Sequence, residues 1–175
     1  MKYLLSTFIL LISINCYAGL FNDNGACVGN ENLLGSSRIT TQGEFQVLLY
    51  NHSGHTSVRG EVLRTSMSYD FSVTTNIIAG VTPIGVMGSA GVADGGLVWV
   101  TFNGRAQVLL EDGQASTRSY WIGPSATVNG RAVTAAAEPT QPTFSTVEHD
   151  QEIGHCIETV SSGTDKLFWA MIHFR

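Results

Sequence analysis

The sequence predicts an all-β protein, a small antiparallel barrel or sandwich preceded by an irregular N-terminal arm. Three observations lead to this fold class. Only 13% of the 175 residues are charged, whereas 43% are hydrophobic and 19 are glycine, which is unlike the composition of disordered chains or coiled coils. Short apolar segments recur between Gly and Asn turn signals, as they do in sandwiches and barrels. The one segment with helical character, residues 132–138, is cut off by the prolines that follow it.

Residues 1–18 have the pattern of an export signal. A short positive start is followed by an uncharged apolar stretch over residues 3–14, and Cys16 and Ala18 occupy the small-residue positions before a cleavage point ahead of Gly19. The stretch is shorter than the roughly 20 residues of a bilayer-spanning helix. We therefore expect a cleaved signal peptide. The alternative is that residues 1–18 are retained as an apolar arm that contacts a partner or a membrane. A membrane contact is expected only if they are retained.

The segment after the cleavage point, residues 19–43, is predicted to be the irregular arm, because Gly, Asn and Ser dominate its first part. Cleavage leaves Cys27 and Cys156 near opposite ends of the mature chain. In an oxidising compartment such a pair predicts one disulfide, whereas two buried free thiols are the alternative in a reducing one. The cysteines are not spaced as Cys-x-x-Cys and so do not indicate zinc ligation by thiolates.

Residues 44–175 are predicted to form a single β domain, because strand-like runs alternate with turn signals throughout this part of the chain. Eight segments have the length and β-branched or aromatic content of strands. They are residues 44–50, 58–65, 83–87, 97–102, 106–110, 119–122, 151–159 and 167–174.

The clearest predicted unit is a hairpin over residues 97–110, in which two β-rich runs flank Asn103 and Gly104. Asn-Gly is the strongest short hairpin signal, because a type I′ turn needs a positive φ at both central residues. Gly85 and Gly154 also stand where a turn or bulge is expected. Gly85, Asn103, Gly104 and Gly154 are therefore the predicted structural turns.

The sequence contains no recognisable catalytic motif. It lacks a Gly-x-Ser-x-Gly elbow, and sequence alone places no orienting partner beside any histidine. We expect a protein that is not an enzyme and has no cofactor. A secreted hydrolase using His149 or His155 with neighbouring acids remains the enzymatic alternative.

The most polar segment contains Glu148, Asp150 and Glu152, which would share one face of a strand. Three aligned carboxylates could bind a hard cation such as Ca²⁺. A solvated loop or an edge strand protected by charge explains the same pattern. We favour the latter interpretation and assign no metal, keeping these three residues as weak candidates.

Charge limits the partners of the protein. The formal net charge is −5, and the basic residues form no run, so the chain lacks the electrostatic footprint of a nucleic-acid-binding protein. Trp99, Trp121 and Trp169 fall in predicted strands. We interpret them as core and interface residues rather than as a sugar-binding platform.

Several short motifs follow one another over residues 51–175. They are NHSG at 51–54, VRGEV at 58–62, PIGV at 83–86, GVADGGLVWV at 91–100, GRAQVL at 104–109, GRA at 130–132, EIGHCIE at 152–158, GTDKL at 163–167 and HF at 173–174. Through these motifs the chain resembles virion structural proteins of tailed bacteriophages, of the capsid-decoration or head-fibre kind. The motifs are structural rather than catalytic.

The resemblance implies a small β-barrel-like or β-tulip-like module that is homotrimeric and binds the outside of a capsid or forms a fibre base. The implied partners are further copies of the chain and the major capsid protein or another virion protein, and the implied location is the virion. The export signal favours a different function, an exported bacterial β-sandwich that serves as a surface-binding or adhesin module in a secreted or periplasmic location.

Overall fold

The computed structural model describes residues 34–75, 82–135 and 151–173. Every regular element in these ranges is a β-strand, so the predicted all-β class is confirmed. No helix in the described ranges is long and apolar enough to cross a membrane. The predicted signal peptide at 1–18, Cys27, Glu148 and Asp150 lie outside the described residues.

Ten strands make up the described part of the chain. They are β1 (Ser37–Ile39), β2 (Phe45–Asn51), β3 (Val62–Thr65), β4 (Ser72–Thr75), β5 (Gly85–Met87), β6 (Leu97–Leu109), β7 (Trp121–Pro124), β8 (Ala132–Ala135), β9 (Gly154–Cys156) and β10 (Leu167–His173).

The first half of the fold is a closed five-stranded barrel. Its strands follow the order β2-β4-β3-β5-β6, and a further pairing of β6 with β2 closes the circle. The pairs are antiparallel except for β2 with β4. Leu63, Val73, Met87, Val98 and Val100 fill the interior. Closure pairs the strand edges that would otherwise be exposed.

The second half repeats this arrangement in the order β6-β10-β9-β7-β8. It closes through a parallel bridge between Leu110 and Ala132, beside which the Glu111 N–H donates to the Ala132 carbonyl at 2.9 Å. Phe168 and Ile172 are fully buried in its core cluster. We call the two units the first barrel and the second barrel, and β6 belongs to both.

The two barrels match in register as well as in strand order. The last part of β6 takes the place of β2, and β7, β8, β9 and β10 take the places of β3, β4, β5 and the first part of β6. Leu63 pairs with Gly85 in the first barrel, and Ile122 pairs with Gly154 in the second. The fold is therefore a tandem pair of equivalent barrels.

A buried serine occupies the same position in each barrel. The Ser57 hydroxyl accepts the Val92 N–H at 3.0 Å, and the Ser116 hydroxyl accepts the Val160 N–H at 3.0 Å. Both serines are at most 2% exposed. Because a buried hydroxyl needs a partner, this matched contact supports the equivalence of the loops that follow β2 and β6.

The predicted hairpin at Asn103 and Gly104 is wrong, because β6 runs through both residues without turning. The first part of β6 pairs with β2 and the last part with β10, so long-range pairing overrides the local turn signal. The register against β2 shifts at this point. Gly104 has a φ of 100°, and a Cβ there would collide with the Gly43 carbonyl oxygen. Close backbone approach at a bulge, rather than a turn, accounts for this glycine.

Gly85 and Gly154 are also not in turns, because they lie in β5 and β9. Neither position has room for a side chain against the neighbouring strand. The prediction of an irregular arm through residue 43 is wrong at β1, which pairs with β2. The strands β4 and β8 were not among the predicted segments, whereas β2 and β10 confirm the predictions at 44–50 and 167–174 to within about a residue at each end.

Candidate functional site

A carboxylate and two imidazoles converge at the rim of the second barrel. Glu152 lies two residues before the start of β9, His155 lies within β9, and His173 ends β10. The antiparallel pairing of β9 with β10 brings the three together, and the His173 N–H donates to the Ile153 carbonyl at 3.0 Å. Of the three carboxylates that the sequence aligned, Glu152 is the one that the structure describes.

The three side chains offer ligand atoms at short distances. Glu152 Oε1 lies 3.2 Å from His173 Nε2 and 3.8 Å from His155 Nδ1, and the two imidazole nitrogens lie 3.3 Å apart. The Glu152 side chain is only 4% exposed, whereas those of His155 and His173 are 40% and 37% exposed. The Trp121 ring lies 4.9 Å from the His155 ring. We call Glu152, His155 and His173 the imidazole cluster.

The first barrel contains a simpler histidine contact. His55 Nε2 lies 2.7 Å from Glu61 Oε1, and Glu61 also accepts the Val58 N–H at 3.0 Å. One imidazole and one carboxylate form this pair. It therefore provides a comparison for the imidazole cluster, which has two imidazoles.

Cys156 lies in the core of the second barrel. Burial raises the pKa of its thiol to about 11, because a low-dielectric environment disfavours the thiolate. Its predicted disulfide partner, Cys27, lies outside the described residues, so the disulfide stays a prediction.

A second candidate site is the turn that joins β3 to β4, residues 66–71. Met67, Phe71 and Tyr69 are 91%, 67% and 59% exposed. The Tyr69 ring stacks on the His52 ring at a centroid distance of 4.1 Å, and the Tyr69 carbonyl accepts the Ser72 hydroxyl at 2.6 Å. We call this segment the aromatic turn. It presents large apolar and aromatic side chains to solvent on an anchored backbone.

The second barrel has an equivalent turn at residues 125–130, which we call the twin turn. Its backbone follows the same pattern. The Ser66 N–H donates to the Ser72 carbonyl at 2.9 Å, and the Ser125 N–H donates to the Arg131 carbonyl at 2.8 Å. The Ser66 and Ser125 hydroxyls each accept an N–H from two residues further on. The two turns are therefore built alike.

The side chains of the two turns differ. Where the aromatic turn has Met67, Tyr69 and Phe71, the twin turn has Ala126, Val128 and Gly130. Gly130 has a φ of 74° and Phe71 a φ of 50°, a region that favours glycine and is uncommon for a bulky residue. The turn therefore forms without large side chains, and Phe71 occupies a position to which it is poorly suited.

Comparison with solved structures found distant similarity to a bacteriophage protein. No protein-family model and no curated protein matches the chain. Among solved structures, the chain is similar to the head fibre gp8.5 N base of bacteriophage phi29, with a TM-score of 0.44 and 16% sequence identity over 73% of this chain and 92% of that one.

Proposed function

We propose that this protein is a non-enzymatic virion structural protein, a capsid-decoration or head-fibre subunit that acts through contacts with its own copies and with another virion protein. The aromatic turn carries the proposal. Its three exposed side chains are absent from the twin turn, so the barrel does not require them. We assign this turn to the contact with the neighbouring virion protein.

The energetics of the turn support a contact role. Aromatic side chains and Met are enriched in protein interfaces, and a few such residues carry most of the binding energy. Burying one large apolar side chain contributes about 1.5 to 3 kcal/mol. A bulky residue at a positive φ costs free energy in the isolated subunit. Phe71 is such a residue, and a function in binding explains why the cost is tolerated.

The remainder of the fold suits a subunit on a particle surface. Two barrels that share one 13-residue strand hold the turn on a scaffold with paired strand edges. The net charge of −5 disfavours adhesion to packaged nucleic acid. The motifs of the virion-protein resemblance fall in part on core strands, since PIGV leads into β5 and VWV lies in β6, which agrees with a structural rather than a catalytic use.

The proposal is tested by grafting the twin turn onto the first barrel, with Met67→Ala, Tyr69→Val and Phe71→Gly in one variant. We expect this variant to fold and to bind particles at least about 30-fold more weakly, because interface hot spots contribute 2 kcal/mol or more each. Co-sedimentation with purified particles that lack the protein measures the affinity. Val128→Ser in the twin turn is the matched control and should bind as the unmodified protein does.

Two results would contradict the proposal. One is equal particle binding by the grafted variant and the unmodified protein, and the other is the absence of the protein from particles imaged by immunogold electron microscopy. Native mass spectrometry tests the proposed homotrimer in the same preparation, since a monomer at the concentration found in particles would exclude it.

A second candidate function is the exported surface-binding or adhesin module, which the export-signal pattern of residues 1–18 favours. The two candidates differ in the mature N-terminus. A mass that places the start at Gly19, in protein recovered from the cell surface or medium, supports export. A start at Met1 in purified particles supports the virion assignment.

A further inference from the structure

We propose that Glu152, His155 and His173 bind one divalent transition-metal ion of the zinc class. Glu152 Oε1, His155 Nδ1 and His173 Nε2 would be the ligand atoms, and no two of them are more than 3.8 Å apart. The site would connect the segment that leads into β9 to the end of β10 and stabilise the second barrel. It is independent of the proposed contact through the aromatic turn.

The distances between the ligand atoms fit a tetrahedral ion. Zinc lies about 2.0 to 2.2 Å from nitrogen and oxygen ligands, which places tetrahedral ligands roughly 3.3 Å apart. Two of the three separations, 3.2 Å and 3.3 Å, have this length. The third, 3.8 Å, requires a shift of a few tenths of an ångström. Two imidazoles and one carboxylate are also a ligand set that zinc commonly takes.

Burial of the carboxylate favours a cation at this point. The Glu152 side chain is 4% exposed, and a carboxylate attracts a cation more strongly in such a low-dielectric position than in water. A metal ion uses both imidazoles in their neutral form. The partly exposed imidazoles also leave a fourth position open to water or to a group from another protein.

The first barrel shows that the backbone does not require these three residues. Gly85 and Gly154 are equivalent, so Pro83 stands where Glu152 does and Val86 where His155 does. Trp99 and Trp169 are also equivalent. The residue four positions after the tryptophan is Asn103 in the first barrel and His173 in the second. The imidazole cluster is therefore an addition to the common architecture.

The experiment is a zinc titration of the full-length, chelator-treated protein by calorimetry. We expect one Zn²⁺ per chain and a higher melting temperature with the ion bound. His173→Asn and His155→Val introduce the residues of the first barrel and should each weaken zinc binding by more than about 100-fold, a loss larger than that typical of outer-shell partners. Co²⁺ should give the visible absorption bands of a tetrahedral site in the unmodified protein.

Two controls separate loss of a ligand from loss of fold. His55→Gln removes the histidine of the simple His–Glu pair and should leave zinc affinity unchanged. His173→Cys replaces one ligand by another and should retain zinc binding, with a thiolate-to-Co²⁺ charge-transfer band. Zinc binding of the unmodified protein that is no tighter than that of His173→Asn, or equal loss in His55→Gln, would overturn the proposal and leave the cluster as a set of side chains in contact without a metal ion.

Discussion

The first and second barrels have the same strand order and register, and each has a buried serine at the equivalent position. They nevertheless present different groups to solvent. The first barrel carries the aromatic turn where the second has small side chains. The second carries the imidazole cluster where the first has Pro, Val and Asn. Features common to both barrels reflect what the fold requires. Features found in one barrel are therefore the better candidates for function.

The largest effect is expected from Gly104→Val, because β6 is shared by both barrels. A side chain at this position meets the Gly43 carbonyl, and φ is 100°. We expect a loss of folding stability on the order of 4 kcal/mol or more, from backbone strain and steric overlap together. Urea denaturation measures the loss. A stability within 1 kcal/mol of the unmodified protein, a margin set by typical point substitutions, would show that β6 does not approach the Gly43 backbone as closely as described.

Gly154→Ala is expected to cause the next largest loss of folding stability. It distinguishes the second barrel from the first, because the equivalent glycine of the first barrel has different surroundings. Gly154 has a φ of 148°, and a Cβ would collide with the Met171 carbonyl oxygen. The equivalent Gly85 has no such φ, and its closest neighbour is a Val100 methyl group. We expect a loss of about 3 kcal/mol for Gly154→Ala and a smaller one for Gly85→Ala.

Gly123→Ala is the control for both glycine variants, because only the Gln151 carbonyl oxygen lies near its Cβ position, at 3.9 Å. It should change stability by no more than about 0.5 kcal/mol. Hydrogen exchange completes the test, since Gly154→Ala should increase exchange in the second barrel before the first. The reverse order would contradict the placement of the Gly154 clash between β9 and β10 of the second barrel.

Phe71→Gly is expected to have the smallest effect and the opposite sign. Glycine tolerates the positive φ that Phe71 adopts, and relief of this strain should outweigh the added freedom of the unfolded chain. We expect a gain of about 0.5 to 1 kcal/mol, measured by urea denaturation, together with weaker particle binding. A loss of stability would instead mean that Phe71 packs usefully in the free subunit, and the comparison with Gly130 would fail.

The all-β class and several strands could be predicted from local patterns. The strands β2 and β10 are dense in β-branched and aromatic residues, and they form where predicted. The Asn103-Gly104 turn could not be judged locally, because β6 passes through it to pair with two different partners. The strand β8 was missed because Ala132–Ala135 has weak β propensity and owes its conformation to β7.

The repeat and the sites were harder to predict. Ile84-Gly85 recurs as Ile153-Gly154, and Trp99 recurs as Trp169, but so few matches do not establish a repeat without the strand register. His173 joins Glu152 and His155 only through the pairing of β9 with β10. The aromatic turn gave a weak signal in the sequence, three large side chains among Ser and Asp, whose meaning depends on the exposure that the fold determines.

Photo-crosslinking on assembled particles shows directly whether the aromatic turn contacts another virion protein. A photoreactive phenylalanine is placed at Tyr69 in the aromatic turn or, as the control, at Val128 in the twin turn. We expect the probe at position 69 to crosslink to another virion protein and the probe at position 128 not to do so. Crosslinks from position 128 alone, or from neither position on particles that contain the protein, would mean that the aromatic turn is not the contact.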